Sequence, residues 1–449
     1  MKKSFIYRGK KISSVGFFGL GKSNIALFEY LSKNYEGLSF TLRSDKAVDT
    51  SIAFDRTLFT IEAREEINED IIFFSPSARR DCAEFLSAEK RGVILSSDVE
   101  FFFDVKTFPA ITVTGTDGKS TTAALVSAIM SEKNDFPASA NIGLPVTELL
   151  GKDEIRGTVT ELSSFQLMNF APHSKRALIT NLSENHLDWH KSIEEYEQAK
   201  ENALKNAEQR VFNLDCPYNR RLLSKYPAYA VYSTRLTYEK MQSIAPANHY
   251  FYVKDGKIMS SGKIIADSCP LKLPGEYNLS NFLAALSLTF ELMPTEKIIG
   301  AAKRFEGLAH RITKIGKWNG ISYYDSSIDS TPKRTMTTLG AMSTPVVLIL
   351  GGRGKELSYE PLEAMPKNVK AIVISGENKN EIFSAVKDTD AQILMANSFK
   401  DAVLTAINTA REGYSVLLSP ASTSFDSFSD YRARGQSFSN IVKNYYAEK

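Results

Sequence analysis

"TVTGTDGKSTTAALVSAIM", residues 112–130, is the stretch on which the reading of this chain turns. Thr112, Val113 and Thr114 are two β-branched threonines around a valine, which suits a buried strand. Gly115 and Gly118 bracket a short loop, and Lys119, Ser120 and Thr121 open a long apolar run with helical character. The first backbone N–H groups of such a helix face outward and bind anionic oxygens. Glycine removes the side chains that would block a close approach. Lys119 supplies a positive charge for terminal phosphates, and Ser120 a hydroxyl for Mg²⁺. The loop is shorter than the general GxxxxGK[ST] pattern, because Gly115 stands only four residues before Lys119. A plain glycine turn is the bland alternative, but GK[ST] directly after a β-branched strand is specific enough to prefer a phosphate loop.

Working outward, "RGTVTELSS" (residues 156–164) ends a strand-like run in Glu161. Parallel α/β sheets aim the C-terminal ends of their strands at one crevice, so Glu161 is expected to bind or position Mg²⁺ there. "RALITNLS" (residues 176–183) is another strand candidate and leads into "NLSENHLDWH". His186 and His190 have the spacing of a helical zinc pair, yet no HExxH glutamate and no third ligand accompany them. The better expectation is His186 near magnesium and His190 on the surface. Ser192, with Glu195 three residues on, caps a polar helix over residues 192–208. Lys200, inside that helix, reads by default as a solvated surface lysine.

The 449 residues imply two to four domains, and three blocks are visible. The first, up to Pro109, alternates short apolar strands with helical stretches, the pattern of a parallel sheet. It holds its own glycine turn, Gly16-Phe17-Phe18-Gly19-Leu20-Gly21-Lys22-Ser23, which is near a dinucleotide fingerprint without being GxGxxG. The second block opens with the phosphate loop and includes an alternating run at residues 248–266 with an Asp-Gly turn, expected to be an antiparallel hairpin. A helix is expected at residues 275–292. The third block begins near Gly307 and carries five strand candidates in doubly wound order. Three of its apolar runs end in polar loops, "YYDSSIDSTPKRT", "GGRGK" and "SPASTSFDSF", which points to a second anion-binding face.

Composition narrows the class. Apolar residues are 43% and charged residues 24%, with a net charge of only +3, so neither a nucleic-acid nor a membrane partner is expected. Cys82, Cys216 and Cys269 lie too far apart for a disulfide framework or a CxxC site, and no stretch approaches the roughly 20 apolar residues of a membrane helix. A cytoplasmic setting is the expectation.

TGTDGKSTT, NIGLP, ELSSFQL, NLSENHLDWH, YEQAKENA, GEYNLSN, GLAHR, LGGRGK and LLSPASTSFDSF occur here in one order across nearly the full length. In that order and spacing the chain resembles the Mur ligase family, most closely its D-glutamate-adding branch; ELSSFQL with a later SPA…SFD…RG is the most discriminating pair. The resemblance implies an α/β protein of three domains: a Rossmann-like UDP-sugar domain over residues 1–107, a central P-loop ATPase-type domain over 108–307, and a Rossmann-like amino-acid domain over 308–449. It implies a monomeric ligase of peptidoglycan synthesis that consumes ATP, UDP-N-acetylmuramoyl-L-alanine and D-glutamate, forms an acyl phosphate, and releases ADP and phosphate.

Site residues follow from the matched motifs. Gly115, Thr116, Asp117, Gly118, Lys119, Ser120 and Thr121 would cradle ATP; Asn281 would meet adenine, with Arg311 and Asp325 also near the nucleotide. Asn141 would meet the transferring phosphate. Ser120, Glu161, His186 and Lys200 would attend two Mg²⁺ ions, Lys200 as a CO₂-carbamylated, anionic ligand. Ser23 and Arg43 would face the uridine diphosphate, Ser163 and Gln166 the substrate, and Lys355, Ser424 and Tyr431 the D-glutamate. The chain departs from the pattern in places. Asp117 replaces the usual Asn, Ser326 and Ile328 replace an Asp and a Lys, Tyr431 replaces a Phe, and SPSARRD (residues 75–81) replaces an SPG turn. A folate-linked glutamate ligase shares the later architecture but lacks the first block, and a non-catalytic nucleotide scaffold would not need Lys119, Glu161, His186 and Lys200 together.

Overall fold

The computed structural model describes residues 3–19, 21–43, 60–62, 67–76, 78–187, 189–273, 275, 277–354 and 358–447. The chain divides into two compact units, residues 1–271 with 279–305, and residues 272–278 with 306–449.

The first unit contains two large sheets. Its N-terminal sheet has five parallel strands, in the spatial order Thr60–Glu62, Ser39–Arg43, Ser14–Phe18, Ile71–Phe74, Ile94–Ser97. The chain winds outward from Ser14–Phe18, then returns to lay Ile71–Phe74 on its other side. That reversal leaves a crevice outside the C-terminal ends of these two strands, where doubly wound sheets take ligands. Phe17, Phe28, Phe73 and Phe101 pack on one face of the sheet. A short hairpin, Phe5–Tyr7 with Lys10–Ile12, precedes the sheet and was not legible in the sequence.

The central sheet has nine strands. Ala110–Thr114 lies between Thr158–Glu161 and Ser174–Ile179, all parallel. Every residue of Ala110–Thr114 and of Thr158–Glu161 is buried, because helices cover both faces; such strands read as continuous buried runs rather than alternating ones. The expected hairpin at residues 248–266 is a three-stranded meander, Ala247–Lys254, Lys257–Ser260 and Lys263–Ala266. Its two tight turns, Asp255-Gly256 and Ser261-Gly262, hold both central residues at positive φ, the geometry that matches strand twist. The helix capped by Ser192 ends at Lys205 rather than residue 208, since Ala207 and Glu208 already belong to the strand Ala207–Asn213.

The second unit is a six-stranded sheet in the order Thr313–Trp318, Ile321–Asp325, Ser415–Leu418, Val346–Gly351, Val369–Ser375, Gln392–Met395. All five expected strands are present, and Thr313–Trp318 adds an antiparallel edge. Ser415–Leu418, last in sequence, inserts between Ile321–Asp325 and Val346–Gly351. The three polar-ended strands are therefore neighbours.

Candidate active site

The loop after Ala110–Thr114 is shaped by its own surroundings. Gly115 has φ 139°, and a Cβ there would overlap Thr180 Oγ1 and come within 3.0 Å of Asn181 O. Gly118, at φ 77°, caps the helix Lys119–Met130 and leaves room for Asn281 Oδ1. Loop and floor are stitched together. Thr180 Oγ1 donates to Asp117 O at 2.6 Å, Asp117 N donates to Asn181 Oδ1 at 2.9 Å, and Thr116 Oγ1 accepts from Ser183 N at 3.0 Å. Tyr196 OH lies 2.9 Å from Thr116 Oγ1. Lys119 curls over the loop and donates to Thr116 O at 2.7 Å. Ser120 is half-buried and Thr121 buried, while the Asp117 side chain is exposed.

Next to this loop lies a buried set of charges. Glu161 is 1% exposed; its Oε1 accepts from Asn141 Nδ2 at 2.9 Å, and its Oε2 is buried with no hydrogen-bond partner. Lys200 is 2% exposed, which corrects the default reading of a solvated lysine: its helix turns that face onto the central sheet, Nζ lies 3.3 Å from Thr114 Oγ1 and sits over the Tyr196 ring. Burial pushes the Lys200 ammonium far below the ordinary lysine range. The nearby Lys119 charge adds to this, and Glu161 and Asp117 oppose it in part. An unpartnered buried carboxylate oxygen costs free energy unless something else meets it. That orphaned oxygen, beside the hydroxyl-bearing glycine loop, fits Mg²⁺, a hard cation that takes few protein carboxylates and shares phosphate oxygens. Among the described residues no group of three or more His, Cys, Asp or Glu could hold a metal unaided.

His186 and His190 part company. His186 has φ 56° and an exposed side chain whose ring lies 5.0 Å from that of Phe165. His190, expected on the surface, is buried at 2% exposure, because Phe165, Trp189 and Tyr196 pack around it. Its Nε2 lies 2.9 Å from Ser164 Oγ, and burial pushes its pKa down. Ser163 and Gln166 form a capping box on the short helix Ser164–Leu167, each side chain bonding the other's backbone N–H. They thereby fix the turn that follows Glu161.

In the N-terminal sheet, Ser23 is half-buried, and Asp98 is buried with neither carboxylate oxygen meeting a hydrogen-bond partner among the described residues. Arg43 is 1% exposed and gives a two-pronged ion pair to Glu69 at 2.7 and 3.1 Å.

The second unit gathers its loops on a residue the motif reading passed over. Arg434, 1% exposed, donates from Nε to Ser327 Oγ at 2.9 Å, from Nη1 to Thr423 O at 2.9 Å, and from Nη2 to Ser327 O and Ser422 O, both at 2.9 Å. One guanidinium thus ties together the loops that end two neighbouring strands. Gly435 has no side chain because His310 and Asp325, 2.6 Å apart, occupy that space. Ser424 is buried, and Arg311 and Tyr431 are half-buried. Lys355 lies outside the described residues.

Residues 113–289 match the model of the Mur ligase middle domain. The UDP-N-acetylmuramoylalanine–D-glutamate ligase of Clostridium novyi is 34% identical over 472 aligned positions, covering 99% of this chain and 100% of that protein. The chain belongs to the Mur ligase family. A second D-glutamate ligase, from Ruminiclostridium cellulolyticum, is 32% identical with 97% of each chain covered. Mur ligase architecture recurs at lower identity in solved structures, where it speaks for the fold alone. The UDP-N-acetylmuramate–alanine ligase of Thermotoga maritima is 18% identical with TM-score 0.62, covering 97% of this chain and 100% of the other. A pseudomurein peptide ligase of Methanothermus fervidus is 15% identical with TM-score 0.58, covering 96% and 100%.

Proposed function

We propose that this Mur ligase adds D-glutamate to UDP-N-acetylmuramoyl-L-alanine with the hydrolysis of ATP to ADP and phosphate, a step of peptidoglycan precursor synthesis. The observation that carries the site reading is the buried cluster beside Gly115: Lys119 over the loop, the unpartnered Glu161 Oε2, and Lys200 held where an ammonium is disfavoured.

The chemistry follows from the charges. A carboxylate resists an amine because its oxygen is a poor leaving group; phosphorylation turns that oxygen into part of inorganic phosphate. Transfer needs little covalent help from protein, and catalysis is chiefly positioning and charge neutralisation. The loop amides and Lys119 would hold the β- and γ-phosphates, and Asn141, fixed by Glu161, would present its amide to the transferring group. Bound Mg²⁺ would neutralise charge on the phosphate oxygens, with Ser120, Glu161, His186 and Lys200 as its protein attendants. Lys200 is suited to carbamylation, since a neutral amine adds to CO₂ and releases one proton to give an anionic oxygen pair. The C-terminal loops around Arg434, with Lys355, Ser424 and Tyr431, would bind D-glutamate. Three functional domains divided near residues 107 and 307, a cytoplasmic location and a monomeric state complete the proposal. Among the described residues no helix is long and apolar enough to cross a membrane.

Phosphate release is the test. It is expected only when ATP, UDP-N-acetylmuramoyl-L-alanine and D-glutamate are all present. Release with a folate and L-glutamate instead, or no release with any substrate pair, would overturn the reading. Lys200→Ala should lose activity that short carboxylic acids partly restore; an unrescued variant at full rate would remove the carbamate.

A further inference from the structure

Arg79 and Arg80 are adjacent and face opposite ways. They sit in the loop that leaves Ile71–Phe74, at the rim of the N-terminal crevice, where Ser75 Oγ comes within 2.7 Å of a Cβ built on Gly19. Arg80 turns back to its own sheet, 2.6 Å from Glu100 Oε1 and over the Phe74 ring. Arg79 turns to the central sheet's segment. It donates to Trp189 O at 2.8 Å and to both oxygens of Glu195 at 2.9 and 3.2 Å, and its guanidinium stacks 4.8 Å above the Trp189 ring. Its remaining donors reach Asp81 at 2.9 and 2.8 Å, and Lys191 closes the ring on Asp81 at 2.5 Å.

What Arg79 grips is the frame of the catalytic segment. Glu195 lies 3.4 Å from His190 Nδ1, and His190 Nε2 lies 2.9 Å from Ser164 Oγ, the first residue of the capped helix that follows Glu161. Trp189 N donates to His186 O at 3.1 Å, and the Phe165 ring packs on both Trp189 and His186. A continuous set of contacts therefore runs from the rim of the sugar-nucleotide crevice to His186 and the Glu161 turn. In the structure the guanidinium is shared between Asp81 in its own loop and Glu195 on the central segment.

We propose that Arg79 is a positioning residue that couples occupancy of the N-terminal crevice to the nucleotide site, so that the UDP-linked substrate and ATP each tighten the other. The proposal rests on the ligand assignments above. A ligand that orders the loop after Ile71–Phe74 favours the shared arrangement, which sets Trp189, His186 and the Glu161 turn; linkage makes the effect reciprocal. The Arg79, Glu195 and Asp81 side chains are 23%, 18% and 40% exposed, so the coupling is expected to weaken as salt rises.

The experiment measures binding of a non-hydrolysable ATP analogue with Mg²⁺, by calorimetry on the full chain, with and without UDP-N-acetylmuramoyl-L-alanine. In the unaltered chain the UDP compound should tighten the analogue roughly ten-fold, within the usual range of coupling. In Arg79→Ala that factor should fall to about one, while each ligand alone keeps its affinity within about three-fold. Arg79→Lys, which keeps the charge but loses the two-pronged geometry, should fall between them. An unchanged factor in Arg79→Ala, no coupling in the unaltered chain, or loss of each ligand's own affinity in both variants would overturn the proposal. Failure of the unaltered chain to bind either compound would instead bring down the functional reading beneath it.

Discussion

Gly115 and Gly21 each stand between a buried parallel strand and a helix, yet a Cβ at Gly115 would overlap Thr180, whereas nothing lies within 4 Å of one at Gly21. Gly115 sits at φ 139°, a region only glycine enters readily; Gly21 has φ −87° and extended backbone that any residue adopts. Charge differs as well. Around the central turn Lys119 and Lys200 stand near the buried carboxylate of Glu161; Lys119 carries positive charge suited to phosphate oxygens, while burial disfavours the Lys200 ammonium. Around the first turn Arg43 is spent on Glu69, and Asp98 lies buried against Ser23 with its pKa raised to about 6 by burial. The same local recipe therefore serves two ends. In one turn the protein itself demands glycine and holds Lys119 over the loop; in the other the space is left open and the nearby arginine is already paired with Glu69.

The contrast can be broken most sharply at Lys119. Lys119→Ala should fold, because its half-buried side chain lies over the loop and donates to Thr116 O, yet lose on the order of 10²–10³ in kcat, the size of loss seen on removing one donor that stabilises transition-state charge. Steady-state phosphate release against circular dichroism checks both halves, and native turnover would sink the phosphate-loop assignment.

The glycine difference comes next. Gly115→Ala should cost about 2 kcal/mol or more of stability, since both φ and Thr180 oppose it. Gly21→Ala should stay within about 0.5 kcal/mol, as a surface change does. Denaturant midpoints decide. Equal losses would mean that the two turns are not distinguished by their own packing, and a weakened affinity for the UDP compound in Gly21→Ala alone would sharpen the view that its space belongs to ligand.

Asp98→Asn is expected to change stability in the opposite sense, and only at higher pH. An acid whose folded pKa near 6 exceeds its unfolded value of about 3.9 binds its proton more tightly in the folded state. Its contribution is fully present below about pH 4 and is lost as pH rises through 6. The amide variant should therefore be more stable by on the order of 2 kcal/mol at pH 7.5, with the gain vanishing towards pH 4. Tm measured at both values checks it; no gain at pH 7.5 would mean that Asp98 is not an uncompensated buried acid.

Much of the fold was legible because buried parallel strands announce themselves. "TPVVLILGG" and "VKAIVISG" can hardly be anything but core strands, and the glycine loop at Gly115 is defined by neighbours in sequence. Lys200 and His190 were misplaced for one reason. Both sit in polar sequence, and their burial depends on which face of the segment meets the sheet and on Phe165, Trp189 and Tyr196 arriving from elsewhere. Arg434 was seen only as part of a motif, since its partners at Ser327, Ser422 and Thr423 come from two distant loops.

Sequence alone determined the strand–loop–helix at Gly115, the order of the sheets' elements and the family, because each depends on short-range pattern. Only the tertiary structure decided that Lys200 is buried beside an unpartnered Glu161 oxygen, that Arg43 is matched by Glu69, and that Arg79 reaches across to Trp189 and Glu195. The reason is physical: desolvation and charge pairing depend on which atoms surround a group, and those atoms come from parts of the chain far apart in sequence.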